Sequence, residues 1–208
     1  MSWEDGLRLV RLRGEVMQQA GNKQNGTMAA IVGLDVLTVE AICREASTHG
    51  IVRAANFNSP GQIVISGAVN AVRKAMELAK AHKAKVVKEL PVSGAFHSPL
   101  MESAREGLKI ALEKTEIRDA AIPVYSNVTA KPVQKAETIR EMLIQQLTNP
   151  VRWEESIRQM IADGATVFTE IGPNKVLQGL VKRIDANVTV KGCEFLQDAY
   201  KNKKVLEV

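Results

Sequence analysis

The side chains of this 208-residue sequence best suited to chemistry are few. There are three histidines and two cysteines, and a few arginines stand where their neighbours are apolar. His97 differs from the other two histidines. It lies in PVSGAFHSPLM (91–101), after Ser93, Gly94 and Ala95, whose small size permits close backbone approach. It precedes Ser98 and Pro99, an N-cap and a first-turn proline for a predicted helix. A side chain at a loop-to-helix junction can face a cleft and act as a general base. It can equally be a polar residue that ends a loop. His49 in STHG and His82 at the end of a lysine-rich helix read as capping or exposed residues. Cys43 and Cys193 have no CxxC or metal-type spacing and read as buried or incidental thiols.

Arg13 is the second candidate. Ser2 and Asp5 form an N-terminal cap signal for a helix over 3–20. At 100° per residue, Trp3, Leu9, Val10, Leu12, Val16, Met17 and Ala20 share one broad apolar face, with Arg8, Arg11 and Glu15 opposite. Arg13 projects near the centre of the apolar face. An arginine there is a structural ion pair, a stem that reaches the rim, or a fork held open for an anionic ligand. Two further stretches stand out. NFNSPGQIVISG places Asn56 and Asn58 either side of Phe57 before a Pro-Gly turn, where local backbone bonding is the ordinary role. EIGPNKVL runs from a strand into a helix N-terminus, which is either an anion site or a tight turn. No P-loop, dinucleotide fingerprint or zinc spacing occurs, so no cofactor or metal is expected.

The elements that must position these residues fall into two groups. Strands over 27–34, 51–57, 62–67 and 84–90 and helices over 35–48 and 68–82 follow the order β-α-β-β-α-β. That is the ferredoxin-like split pattern, placed at 25–91. AGNKQNG reads as the polar linker leading into it. Beyond it, helices over 99–114, 136–148, 152–163 and 174–184 alternate with strands over 122–127, 166–172 and 187–192. This alternation predicts a parallel α/β layer, with too few strands for a complete sheet. The expected fold class is α/β: residues 1–24 and 92–208 form an incomplete parallel-sheet domain into which 25–91 is inserted.

Composition bounds the function. The chain is 45% hydrophobic and 25% charged, ordinary for a globular protein, with net charge +5. Its lysines are spread along helix faces until YKNKK near the end. Aromatics make up only 4%, and TMAAIVGL and QIVISG contain none, which argues against nucleic acid stacking on the sheet. A mildly basic surface suits an acidic partner or a phosphate-bearing ligand. No apolar run approaches the roughly 18 residues of a membrane span, and the charged start is unlike a signal peptide. A cytoplasmic location is expected.

Seven stretches in order resemble the malonyl-CoA:acyl carrier protein transacylase family: LRLVRLRGEVMQQA, GTMAAIVGL, NFNSPGQIVISG, LPVSGAFHSPLM, IPVYSNVTAKPV, QQLTNPVRWEESI and EIGPNKVLQGLVKRI. The resemblance covers residues 2 to 192. It implies an α/β-hydrolase-like core with an inserted ferredoxin-like subdomain. It also implies a ping-pong transfer of malonyl from malonyl-CoA, through a serine ester, to the phosphopantetheine thiol of acyl carrier protein. In that reading His97 is the catalytic base and Gln146 supplies the backbone carbonyl that orients it. Arg13 pairs with the malonyl carboxylate, and Phe96 is a bulky position associated with malonyl over methylmalonyl. Met17 and Asn58 join the substrate-binding set. The family's Gly-His-Ser-Leu-Gly nucleophile elbow and its Pro-Gly-Gln-Gly loop do not occur in these 208 residues. Ser93 and Ser98 lack the strand–Gly-x-Ser-x-Gly–helix setting that would let either replace the nucleophile. The resemblance therefore implies a chain with base and carboxylate clamp whose serine comes from elsewhere, as from a separate N-terminal half. The alternative is an inactive fragment or a module that docks acyl carrier protein.

Overall fold

The computed structural model describes residues 1–194; the lysine-rich YKNKK lies outside the described residues. Helix α1 spans Trp3–Lys23, and the Ser2 hydroxyl accepts from the Asp5 amide at its start. The helix continues three residues past the expected end at 20, into the stretch read as a linker. Strand β1 (Gly26–Val32), helix α2 (Val36–Ala46), strands β2 (Val52–Ser59) and β3 (Gln62–Ala68), helix α3 (Val69–Ala81) and strand β4 (Val86–Glu89) follow. The four strands form one sheet in the order β2-β3-β1-β4, with every neighbouring pair antiparallel.

The near-continuous apolar character of these strands has a physical cause, because both faces of the sheet are covered. On one face Ile31, Ile63 and Ile65 meet Val39, Ile42 and Cys43 of α2 and Val72, Ala75 and Ala79 of α3. The alanines of α3 recur at helical spacing, so the helix backbone lies close to the strands. On the other face Met28, Ala55 and Val64 are packed by Leu90, Val92 and Phe96. Cys43 sits in the first of these layers as a free thiol, and burial pushes its pKa up to about 12.

Helix α1 packs against helix α4 (Glu102–Lys114). Leu9, Met17 and Ala20 join Met101, Ala104, Leu108, Leu112 and Leu147 in a second core. The single broad apolar face expected for α1 does not hold. Trp3 is 72% exposed, Leu7 60% and Val10 70%. Only one side of the helix meets α4, and the stripe through Trp3, Leu7, Val10 and Gly14 runs beside the buried one.

The parallel layer expected beyond residue 99 is also revised. Strands β5 (Val124–Ser126) and β6 (Lys131–Val133) form an antiparallel hairpin. The sequence conceals it. The turn places Ala130, not glycine or asparagine, at φ +55°, and β6 contains Pro132. Helices α5 (Ala136–Gln145) and α6 (Trp153–Ala162) come next.

Contacts group Met1–Ser156 as one unit and Ile157–Val208 as a second. The four-stranded sheet and the α1–α4 core share the first unit, Met1–Ser156, because Phe96 packs into both of their apolar clusters. In the second unit β7 (Val167–Ile171) and β8 (Thr189–Cys193) pair in parallel across helix α7 (Val176–Ile184). There the Glu170 carboxylate accepts from the Leu177 and Gln178 amides at the start of α7. The helix N-terminus in EIGPNKVL is thus occupied by the protein's own anion. Among the described residues no helix is long and apolar enough to cross a membrane.

Candidate active site

The stretch before His97 is held by close backbone approach. A Cβ on Gly21 of α1 would overlap the Ser93 carbonyl oxygen, and one on Gly26 of β1 would meet Ala95 Cβ at 2.5 Å. Only glycine lets the loop lie this close to the end of α1 and the start of β1. Ser98 then fixes the exit. Its hydroxyl donates to the Ala95 carbonyl at 2.6 Å and accepts from the Leu100 amide at 3.3 Å. Pro99–Met101 form a 3-10 turn that leads into α4. Between these two anchors His97 is held at φ +59°, a left-handed conformation that costs a non-glycine residue about 1–3 kcal/mol.

The ring faces the end of α5. His97 Nδ1 lies 2.8 Å from the Gln146 carbonyl oxygen. The carbonyl can only accept, so Nδ1 carries the proton and Nε2 is left as the basic nitrogen. The Gln146 side chain turns back on the following residues. Its Nε2 donates to the carbonyls of Asn149 at 3.0 Å and Pro150 at 3.3 Å. Asn149 in turn donates from Nδ2 to the Gln145 carbonyl at 2.9 Å. Val151 then joins the sheet: its amide donates to Ala55 and its carbonyl accepts from Phe57, both at 2.8 Å. The segment that orients His97 is therefore bonded to the edge strand β2.

Burial holds the His97 imidazolium below the usual histidine range. The Gln146 carbonyl opposes this, the Arg13 guanidinium reinforces it, and the Asn149 carbonyl opposes it. The ring is neutral at pH 7 and able to accept a proton. Arg13 is half-buried, and its pKa is lowered by desolvation. Among the described residues it makes no ion pair, so the structural ion-pair reading of this residue fails. A stem that reaches the rim and a fork held open for an anion remain, and the Arg13 charge is felt at the His97 ring.

The other candidates are placed as follows. Phe96 bridges the helical core and the underside of the sheet. Asn58 is half-buried at an irregular register of β2, and its side chain has no hydrogen bond among the described residues. The local backbone role open to it is not used. Met17 is 7% exposed and belongs to the α1–α4 core, so its packing role is complete without a ligand. Sequence reasoning missed the Asn149 carbonyl, the Gln146 amide and the Val151 bridge. Only the Asn-Pro pair after Gln146 hinted at a turn there. A cavity of about 910 Å³ lies between α2, the outer edge of β2 and residues 149–155. It includes neither Arg13 nor His97.

The sequence matches the acyl transferase domain over residues 1–205. The chain belongs to this acyl transferase family. Among curated members, a malonyl CoA-acyl carrier protein transacylase of Bacillus subtilis is 48% identical over 186 residues, covering 89% of this chain and 59% of the relative. The Escherichia coli K12 protein of the same name is 42% identical over 189 residues, covering 91% and 61%. Among solved acyl transferase structures, an acyl-carrier-protein-S-malonyltransferase from Bartonella henselae superposes with a TM-score of 0.94 at 39% identity. It is matched by all of this chain over 66% of its own length. A malonyl-transacylase solved in complex with a type II PKS acyl-carrier protein superposes at 0.92 with 38% identity, covering 99% and 66%. The chain thus spans about three fifths of the length of these curated relatives.

Proposed function

We propose that this chain supplies the proton-transferring and carboxylate-binding part of a malonyl-CoA:acyl carrier protein transacylase. The observation that carries this reading is the His97 Nδ1–Gln146 carbonyl bond, which leaves Nε2 basic, together with Arg13, a partly desolvated guanidinium with no ion pair among the described residues. An acyl group with a distal carboxylate satisfies both: the carboxylate pairs with Arg13 while the thioester carbonyl is presented near His97.

In this reading His97 Nε2 takes the proton of a serine hydroxyl as its oxygen attacks the malonyl-CoA thioester. The ring then returns that proton to the departing coenzyme A thiolate. In the second half-reaction it takes the proton of the acyl carrier protein thiol and returns it to the serine oxygen. The Gln146 carbonyl serves where a triad acid would, holding the tautomer and stabilising the transient imidazolium. Phe96 narrows the space for an α-methyl group, and Asn58 offers a free amide to the substrate. No Gly-x-Ser-x-Gly occurs in the 208 residues, so the serine lies outside them. The architecture fits an α/β-hydrolase-like core (1–24, 92–208) with a ferredoxin-like insert (25–91). Two cysteines outside any CxxC or metal-type spacing fit a reducing cytoplasm.

The test is malonyl transfer from malonyl-CoA to holo acyl carrier protein. It is run with the chain alone and with a polypeptide carrying the relatives' serine-bearing segment. The chain alone should be silent. The pair should transfer malonyl, with a loss of about 10²-fold or more on His97→Ala. Robust transfer by the chain alone, or by the pair carrying His97→Ala, overturns the assignment.

A further inference from the structure

The carbonyl of Gln146 explains the orientation of His97 but not why that carbonyl stays in place. It sits at the C-terminal cap of α5, where carbonyls lose their intrahelical partners and fray. The next residues cannot restore order through a helical turn, because Pro150 has no N–H to donate. The Asn149 and Pro150 carbonyls that follow find their donors in a side chain. The Gln146 amide provides both, and this fixes its own orientation, since two carbonyls can face only the NH₂ end. That NH₂ group also lies 3.5 Å from His97 Nδ1.

Two of the three carbonyls involved act on the imidazole. The Gln146 oxygen accepts its Nδ1 proton, and the Asn149 oxygen also favours the charged ring. One residue thus offers the ring an acceptor from its backbone and holds a second with its side chain. The same turn continues into Val151, whose two bonds join it to β2. An ordinary helix-capping glutamine would meet one carbonyl and face solvent; this one is half-buried and meets two.

We propose that the side-chain amide of Gln146 is a positioning group for His97, locking the Gln146–Val151 turn so that the imidazole keeps one tautomer. This rests on the reading of His97 as the base. It predicts that a residue at 146 with an intact backbone carbonyl but no N–H donors leaves the ring poorly oriented.

The test uses the 208-residue chain labelled with ¹⁵N. Gln146→Met preserves side-chain length and removes both donors. The His97 ring nitrogens should then show a mixed tautomer population. The ring should also titrate lower than in the wild type, by about 0.5 or more, as the carbonyls that favour its charge loosen. A His97 tautomer and titration unchanged in Gln146→Met overturns the proposal. If that variant does not fold, side-chain NH₂ exchange in the wild type decides the matter. Gln146 should exchange at least about tenfold more slowly than exposed Gln19, and equal rates overturn the proposal. Failure of the base assignment would appear instead as His97→Ala leaving malonyl transfer intact, with the ring signals still responding to residue 146.

Discussion

His97 Nδ1 and the carbonyl oxygen of Gln146 meet at 2.8 Å across 49 positions of chain, and both residues stand where regular structure breaks. His97 has left-handed backbone between a glycine-packed loop and a capped turn, and Gln146 ends a helix. The bond joins two chain reversals, and each is held in place by its own neighbours.

The first prediction concerns the base. Desolvation, and after it the Arg13 charge, lower the His97 pKa. The ring should titrate below the ordinary 6.5 in an NMR pH series. Arg13→Gln removes the nearby positive charge and should raise the value. A ring titrating at or above 6.5 would overturn the depressed value, and one unmoved in the variant would show that the two side chains do not interact.

Stability should depend on pH through the same group. With the native pKa depressed, the unfolded chain binds more protons between the two pKa values. Stability is then fully present above the unfolded value near 6.5 and falls as pH drops toward the native one. Urea unfolding between about pH 7.5 and about pH 5 should show this slope. His97→Asn, which tolerates left-handed backbone, should flatten it.

Two glycines of α1 should respond with opposite signs. Gly21→Ala drives a methyl into the Ser93 carbonyl and should cost about 1–3 kcal/mol in denaturant unfolding. Gly14→Ala meets nothing within 4 Å and should stabilise by about 0.5–1 kcal/mol through helix propensity. Equal effects would mean that the α1–loop contact is not tight.

Arg140 of α5 closes the end of α4. Its Nε donates to the Leu112 carbonyl at 2.9 Å and its terminal nitrogen to Thr115 at 3.0 Å. Arg140→Met retains most of the stem but leaves the Thr115 carbonyl without this donor and the Leu112 carbonyl with the Thr115 amide at 3.3 Å, at a cost of about 1–3 kcal/mol. A change in thermal midpoint too small to resolve would count against this capping role.

Much of this was legible in the residues. The Arg13 anomaly showed on a helical wheel because a charge among leucines breaks a 3.6-residue period. The β1–β4 sheet followed from strand-length apolar runs between glycine and proline signals. The β5–β6 hairpin was not legible, since Ala130 and Pro132 carry the wrong cues for it. The exposure of Trp3 and Val10 was equally hidden: periodicity marks an apolar face but not whether a neighbour meets it. The Gln146 amide left no pattern at all, because its partners are backbone carbonyls, which every residue possesses.

Helix α1 has two apolar flanks, and among the described residues only one of them is met. The stripe of Trp3, Leu7 and Val10 ends at Gly14, a smooth notch with nothing above it. Such a strip behaves as an adhesive, and the solubility of the isolated chain should be set by it more than by the net charge of +5.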